Sequence, residues 1–301
     1  MTVTRRTSGG VAAGGTTARD DRRILRRATI ALSVAVAVLV FAASLAGLLL
    51  DDVYGRPAAT AEMLRAYDLV ALALAPALVL SVFRATRGSD RAWLAWAGLL
   101  AYLTYTAAFY VFGSSFNDLF LLHVAVFGGS AFALVLTMSA MDVAGISSRF
   151  AARTPRRLVG GILGLLAVAL GAMWVYATVR SSITGDVPAG SALVEPDLVV
   201  HLGIALDLAL LVPAYAAAAV LLWRGVAWGY AIAAIVLVAG LLHQISYLVA
   251  MPLQVAADIP GAVAFDPFEP VIVLFYLIAA AVLLWHANGE PRPSAEPGVR
   301  R

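Results

Sequence analysis

LVVHLGIALDLALLVPAYAAAAVLLWRGVAWGYAIAAIVLVAGLLHQISYLVAMPLQ, residues 198–254, is two apolar runs joined by the short turn Arg224-Gly225-Val226-Ala227. Each run is long enough to cross a bilayer as a helix, since about 20 apolar residues suffice. The stretch therefore reads as a transmembrane hairpin. Gly225 lies eighteen residues after Asp207 and eighteen before His243. Two antiparallel helices rising about 1.5 Å per residue bring those two side chains to one height, about 14 Å below the outer ends. Ionisable groups at that depth are functional candidates.

Composition extends the hairpin's reading to the whole chain. Apolar residues make up 62% of the 301, charged residues 13%, and mean hydropathy is +0.89. A soluble domain carries roughly 25% charge, so the chain is expected to be an all-α, polytopic integral membrane protein with the lipid bilayer as its main partner. The absence of cysteine excludes disulfides, a thiolate nucleophile and Cys-ligated zinc or iron–sulfur centres. All 21 basic residues are arginine, which excludes a retinal-type Schiff base and a catalytic lysine. Those arginines sit in membrane-flanking loops rather than in a soluble patch, so nucleic acid is not an expected partner.

Eight apolar runs are expected to span: 28–50, 67–83, 92–112, 118–141, 158–179, 198–223, 228–252 and 270–287. They are continuous rather than alternating, which excludes a β-barrel. Residues 1–27 read as a disordered, Arg-rich cytoplasmic tail and 288–301, with Pro291, Pro293 and Pro297, as a second disordered tail. Eighteen of the arginines fall on the side of the two tails; only Arg56, Arg65 and Arg180 fall on the other. The positive-inside rule then puts both termini in the cytoplasm and the protein in the cell membrane. The even count, with Pro76 and Pro213 each eleven residues before an Arg-Gly pair, suggests a weak four-plus-four parallel repeat.

The candidate site is built on Asp207 and His243. Gln244 and Tyr247 lie within a turn of His243 and Gly240 clears space on the same face, so span seven carries a polar stripe. Tyr102 and Tyr105 of span three lie on one face, and Tyr102 falls at matching depth. Histidine titrates near neutrality, which suits the pair to handling a proton together with a substrate; the competing reading is a buried hydrogen bond that fixes helix register. His123, His201 and His243 all fall in the outer half, which admits an alternative haem or divalent-metal centre, although no two ligands lie one helical turn apart. Asp68 and Glu269 are expected near the outer starts of spans two and eight, capping them. Gly160 and Gly164, spaced G-x-x-x-G, offer span five a smooth face for a neighbouring helix, such as a second copy or a membrane partner.

The expectation is an eight-span bundle with a polar cavity opening outward between spans three, four, six and seven. The function it suggests is a small-molecule or ion transporter with a proton-handling Asp/His pair. A non-catalytic membrane scaffold or assembly protein, and a haem- or metal-dependent membrane enzyme or electron carrier, are the alternatives.

Overall fold

A computed structural model of the chain describes residues 13–150, 154–188 and 192–288, with side chains from residue 23 to residue 287. No strand occurs among the described residues. Eight helices are long and apolar enough to cross a membrane: Arg23–Leu49, Ala58–Thr86, Asp90–Phe112, Phe120–Ala140, Arg156–Thr184, Asp197–Trp223, Ala227–Ala256 and Phe268–Trp285. These are spans one to eight below. A short helix, Val143–Ser148, links spans four and five.

Two boundaries differ from expectation. The first helix runs back to Ala13, so residues 13–27, read as part of a disordered tail, are helical. The remainder of that tail, 1–12, and residues 289–301 lie outside the described residues. Span two begins at Ala58, nine residues before the apolar run suggests, because Pro57 sets the turn and the first helical turns are alanine-rich. Asp68 consequently lies well inside the helix and is 1% exposed, not at its N-terminus. Glu269 does occupy the first turn of span eight.

Spans one to four pack in a ring, one on two, two on three, three on four and four on one. Spans five to eight pack in the same cyclic order, and span seven joins the halves by packing on spans two and three. Span three is the most enclosed, with 78% of its apolar stretch buried against 28–44% in the others. The outer spans turn Phe83, Phe132, Val168 and Leu274 outward, as a lipid-facing wall requires.

Directional bonds fix the register inside this apolar packing. Trp96 Nε1 donates to Ser33 Oγ (2.9 Å) across spans three and one. The buried Gln254 carboxamide satisfies Val194 N and O (both 2.9 Å) and Ala59 O (3.1 Å), tying the loop before span six to span two. At the arginine-rich end, Arg149 Nη1 grips both Asp90 oxygens (3.1 and 3.0 Å), while Arg26 and Arg91 cap the last carbonyls of spans two and eight at Thr86 (3.1 Å) and Trp285 (2.8 Å).

The Gly160/Gly164 face is filled within the chain. A Cβ on Gly160 would strike the Trp223 ring, and one on Gly164 would touch Ala219, so span six takes the groove that was expected to receive another molecule. Close approach of spans five and six depends on that missing side chain. Gly160→Leu is expected to destabilise the protein by roughly 1–3 kcal/mol through overpacking, read as a lowered melting temperature in detergent; an unchanged melting temperature would contradict this packing.

Candidate functional site

Span six is not a continuous α-helix. It runs as an α-helix from Asp197 to Leu206, passes through a π-helical turn at Asp207–Leu211, and resumes at Val212. The cause is local: Pro213 has no N–H and its ring crowds the preceding turn, so the backbone accommodates an extra residue there. What forms is a wide turn that begins at the buried aspartate itself.

Asp207 is 8% exposed and both its oxygens are engaged. Tyr105 donates its hydroxyl to Oδ1 (2.6 Å) from span three, and Trp174 donates Nε1 to Oδ2 (2.7 Å) from span five. No hydrogen bond or ion pair joins Asp207 to His243 among the described residues. Equal height brings the two to one cavity but does not pair them, because rotation about each helix axis, which height does not fix, hands the carboxylate to Tyr105 and Trp174.

His243 sits in an aromatic nest instead. Tyr105 meets its ring edge-on at 4.8 Å, Tyr247 lies at 5.1 Å, Tyr67 at 6.0 Å and Phe109 at 6.4 Å between centroids. Its Nδ1 is buried without a partner, as is the hydroxyl of the fully buried Tyr67. Gln244 Nε2 donates to Glu269 Oε2, joining spans seven and eight. Tyr247 donates to Glu195 Oε1 (2.9 Å) on the loop before span six. Tyr102 belongs elsewhere: its hydroxyl meets Ser246 Oγ (2.8 Å) and it lines neither of the cavities described next.

Two cavities share a wall made by Leu211, Gly240 and His243. One, of about 500 Å³, lies between spans three, four, six and seven, where a polar cavity was expected; its lining is apolar apart from Thr104, Tyr105 and His243. The polar cavity, of about 370 Å³, lies instead between spans five, six, seven and eight. Trp174, Asp207, Gln244 and Glu269 line it, Asp266 stands at the loop end, and Tyr215 and Tyr276, hydroxyl to hydroxyl at 2.8 Å, lie beside Gly240. Gly240 leaves room for those two rings, since a Cβ there would overlap both. The displacement follows from Asp207, whose bond to Trp174 turns it toward span five.

The three histidines do not converge. His123 packs on Tyr110 and Tyr54 in the first half, His201 is exposed on span six, and His243 lies in the aromatic nest. No group of three His, Cys, Asp or Glu side chains able to hold a metal occurs among the described residues. A haem or divalent metal held by His123, His201 and His243 therefore does not fit this arrangement.

Several of these groups escape a reading of the sequence. Trp174 looks like one more lipid-facing aromatic, and Glu195 like one more solvated loop acid. Tyr215 and Tyr276 carry one usable signal: each is the one tyrosine of its span.

Glu195 gives the site a pH dependence outside the bilayer. Burial, opposed by the Tyr247 bond and reinforced by the Asp207 charge, lifts its carboxyl from the ordinary 4.5 to about 7. The folded protein thus holds this proton more tightly than the unfolded chain. The stability it contributes is complete below about 4.5, falls as pH rises to about 7, and is lost above. Glu195→Gln is expected to flatten that slope, measured as melting temperature against pH; an identical slope in the variant would show that another group carries it.

No protein-family model, curated protein sequence or solved structure matches this chain, so the chemistry of the site rests on its own geometry.

Proposed function

We propose that this multi-pass membrane protein is a carrier that takes a small organic cation into the cavity between spans five and eight and exchanges it against a proton on Asp207. The observation that carries the reading is the lining. Three carboxylates, Asp207, Glu269 and Asp266, share the cavity with Trp174, Tyr215, Tyr247, Tyr276 and Phe268, and among the described residues no arginine lines it. A cation gains from carboxylates and from aromatic faces, an anion from neither, and low-dielectric walls strengthen both effects.

The proton fits the same geometry. An indole N–H only donates, so Asp207 Oδ2 stays an acceptor in either state and the proton resides on Oδ1. There the Tyr105 hydroxyl turns from donor to acceptor as the carboxyl becomes neutral. A cation and a proton then compete for one negative charge, which is the coupling an exchanger needs. The exposed rim residues Met173 and Phe268 suit a solute with an apolar body. The arginine asymmetry supports a cell-membrane location with both termini in the cytoplasm and the Asp266 mouth outside.

A scaffold role is the second reading, favoured by the fact that Asp207 already has a partner for each oxygen. Reconstituted protein loaded with tetraethylammonium distinguishes the two. A pH gradient is expected to drive its uptake, and Asp207→Asn to cut the proton-linked component on the order of tenfold, ~1.4 kcal/mol, with the melting temperature near that of the wild type. Absence of binding or uptake, with loss of folding as the variant's sole effect, would leave the scaffold reading.

A further inference from the structure

The first ring of spans encloses a second carboxylate that the solute cavity does not use. Asp68 of span two is 1% exposed; its Oδ2 accepts from the Tyr54 hydroxyl (2.5 Å) and its Oδ1 from the Tyr110 hydroxyl (3.0 Å). Tyr54 reaches in from the loop between spans one and two, and Tyr110 from the end of span three. Gly47 lets span one close over the pair, since a Cβ there would overlap both the Tyr54 hydroxyl and the Asp68 carboxylate.

Beside them lies His123, 3% exposed, stacked on Tyr110 with ring centroids 4.3 Å apart. Neither of its ring nitrogens has a hydrogen-bond partner. An imidazole always carries at least one N–H, and leaving both nitrogens unpaired in an apolar setting is costly. Asp68 and His123 face a common cavity of about 20 Å³, together with Ser44 and Thr106. A space of roughly 10–15 Å³ by this measure holds one water, provided two or more polar groups surround it.

We propose that Asp68 and His123 form a second, buried proton-binding site, bridged by a single water and lidded by Tyr54. One proton is shared across the bridge. When it moves from a His123 ring nitrogen to the Asp68 carboxylate, the water accepts it on one side and donates its own on the other, so charge and electrons balance without a co-reactant. Binding that proton from bulk takes the pair from a net charge of −1 to neutral. The titratable groups around the site are Tyr54 on the loop, Arg65 on span two, Tyr102 and Tyr110 on span three, and His123 on span four; span one contributes Ser44 and Gly47. The site shares no residue with the cation cavity and stands whether or not that reading does.

Infrared difference spectroscopy of the full-length protein, titrated from mildly acidic to alkaline pH, tests it. A protonated-carboxyl band that disappears in Asp68→Asn is expected to shift in His123→Phe, which keeps a ring stacked on Tyr110 but removes both nitrogens. Deuterium exchange at that band is expected to become roughly tenfold faster in Tyr54→Ala, whose lid is gone. Should Asp68→Asn fail to fold, isotope-labelled histidine gives the same answer: the resonances lost in His123→Phe report a hydrogen-bonded imidazole in the wild type. An Asp68 band indifferent to His123→Phe, or imidazole resonances without hydrogen bonding, overturns the proposal. So does a permanently ionised Asp68 whose protein is stabilised by sodium but not by choline, which would make this a metal-cation site.

Discussion

A carboxylate inside hydrocarbon must obtain from other side chains what water would otherwise supply, and this requirement decides how the spans are held together. Asp207 draws donors from spans three and five, Asp68 from span three and the first loop, and Glu269 from span seven. None of these donors comes from the acid's own helix. Apolar packing gives two spans in lipid little reason to prefer one rotation over another, because lipid tails are as apolar as leucine. A buried acid with a partner on a different span removes that freedom.

Span three has the largest share in this. Tyr102, Tyr105 and Tyr110 point to three different neighbours, Ser246, Asp207 and Asp68. That explains why it is the most enclosed helix despite the lowest hydropathy, 1.4, of the eight. Its tyrosines act as hydrogen-bonding pegs whose rings also fill the core, so one residue type supplies both the apolar volume and the polar tip. The π-helical turn in span six serves the same end from the other side. It opens the backbone at Asp207, where a carboxylate has to reach two donors on different helices.

The two rings of four spans repeat a theme with different consequences. In each, an aspartate on the second span of the ring is held by a tyrosine from span three and lies near a histidine lacking a hydrogen-bond partner on at least one nitrogen. Asp68 is 1% exposed, beside room for about one water, whereas Asp207 borders a cavity of about 370 Å³. The difference lies in closure. Spans one and four pack firmly along their length, while spans five and eight touch lightly, leaving a gap lined by acids and aromatic rings.

The sequence by itself determined the number of spans, their approximate limits, the side on which arginine collects, and that Asp207 and His243 share a level. These are one-dimensional properties: run length against bilayer thickness, a count of charges, and a rise of about 1.5 Å per residue. Only the tertiary structure decided which groups meet. The angle of each helix about its axis is set by packing and by donors such as Trp174 and Tyr54, whose positions in the chain are remote from the acids they serve. For that reason the polar cavity lies against spans five and eight rather than three and four, Asp207 is bound to Tyr105 and Trp174 rather than His243, and the Gly160 groove is filled by Trp223. Height follows from counting along one helix, whereas facing depends on all eight at once.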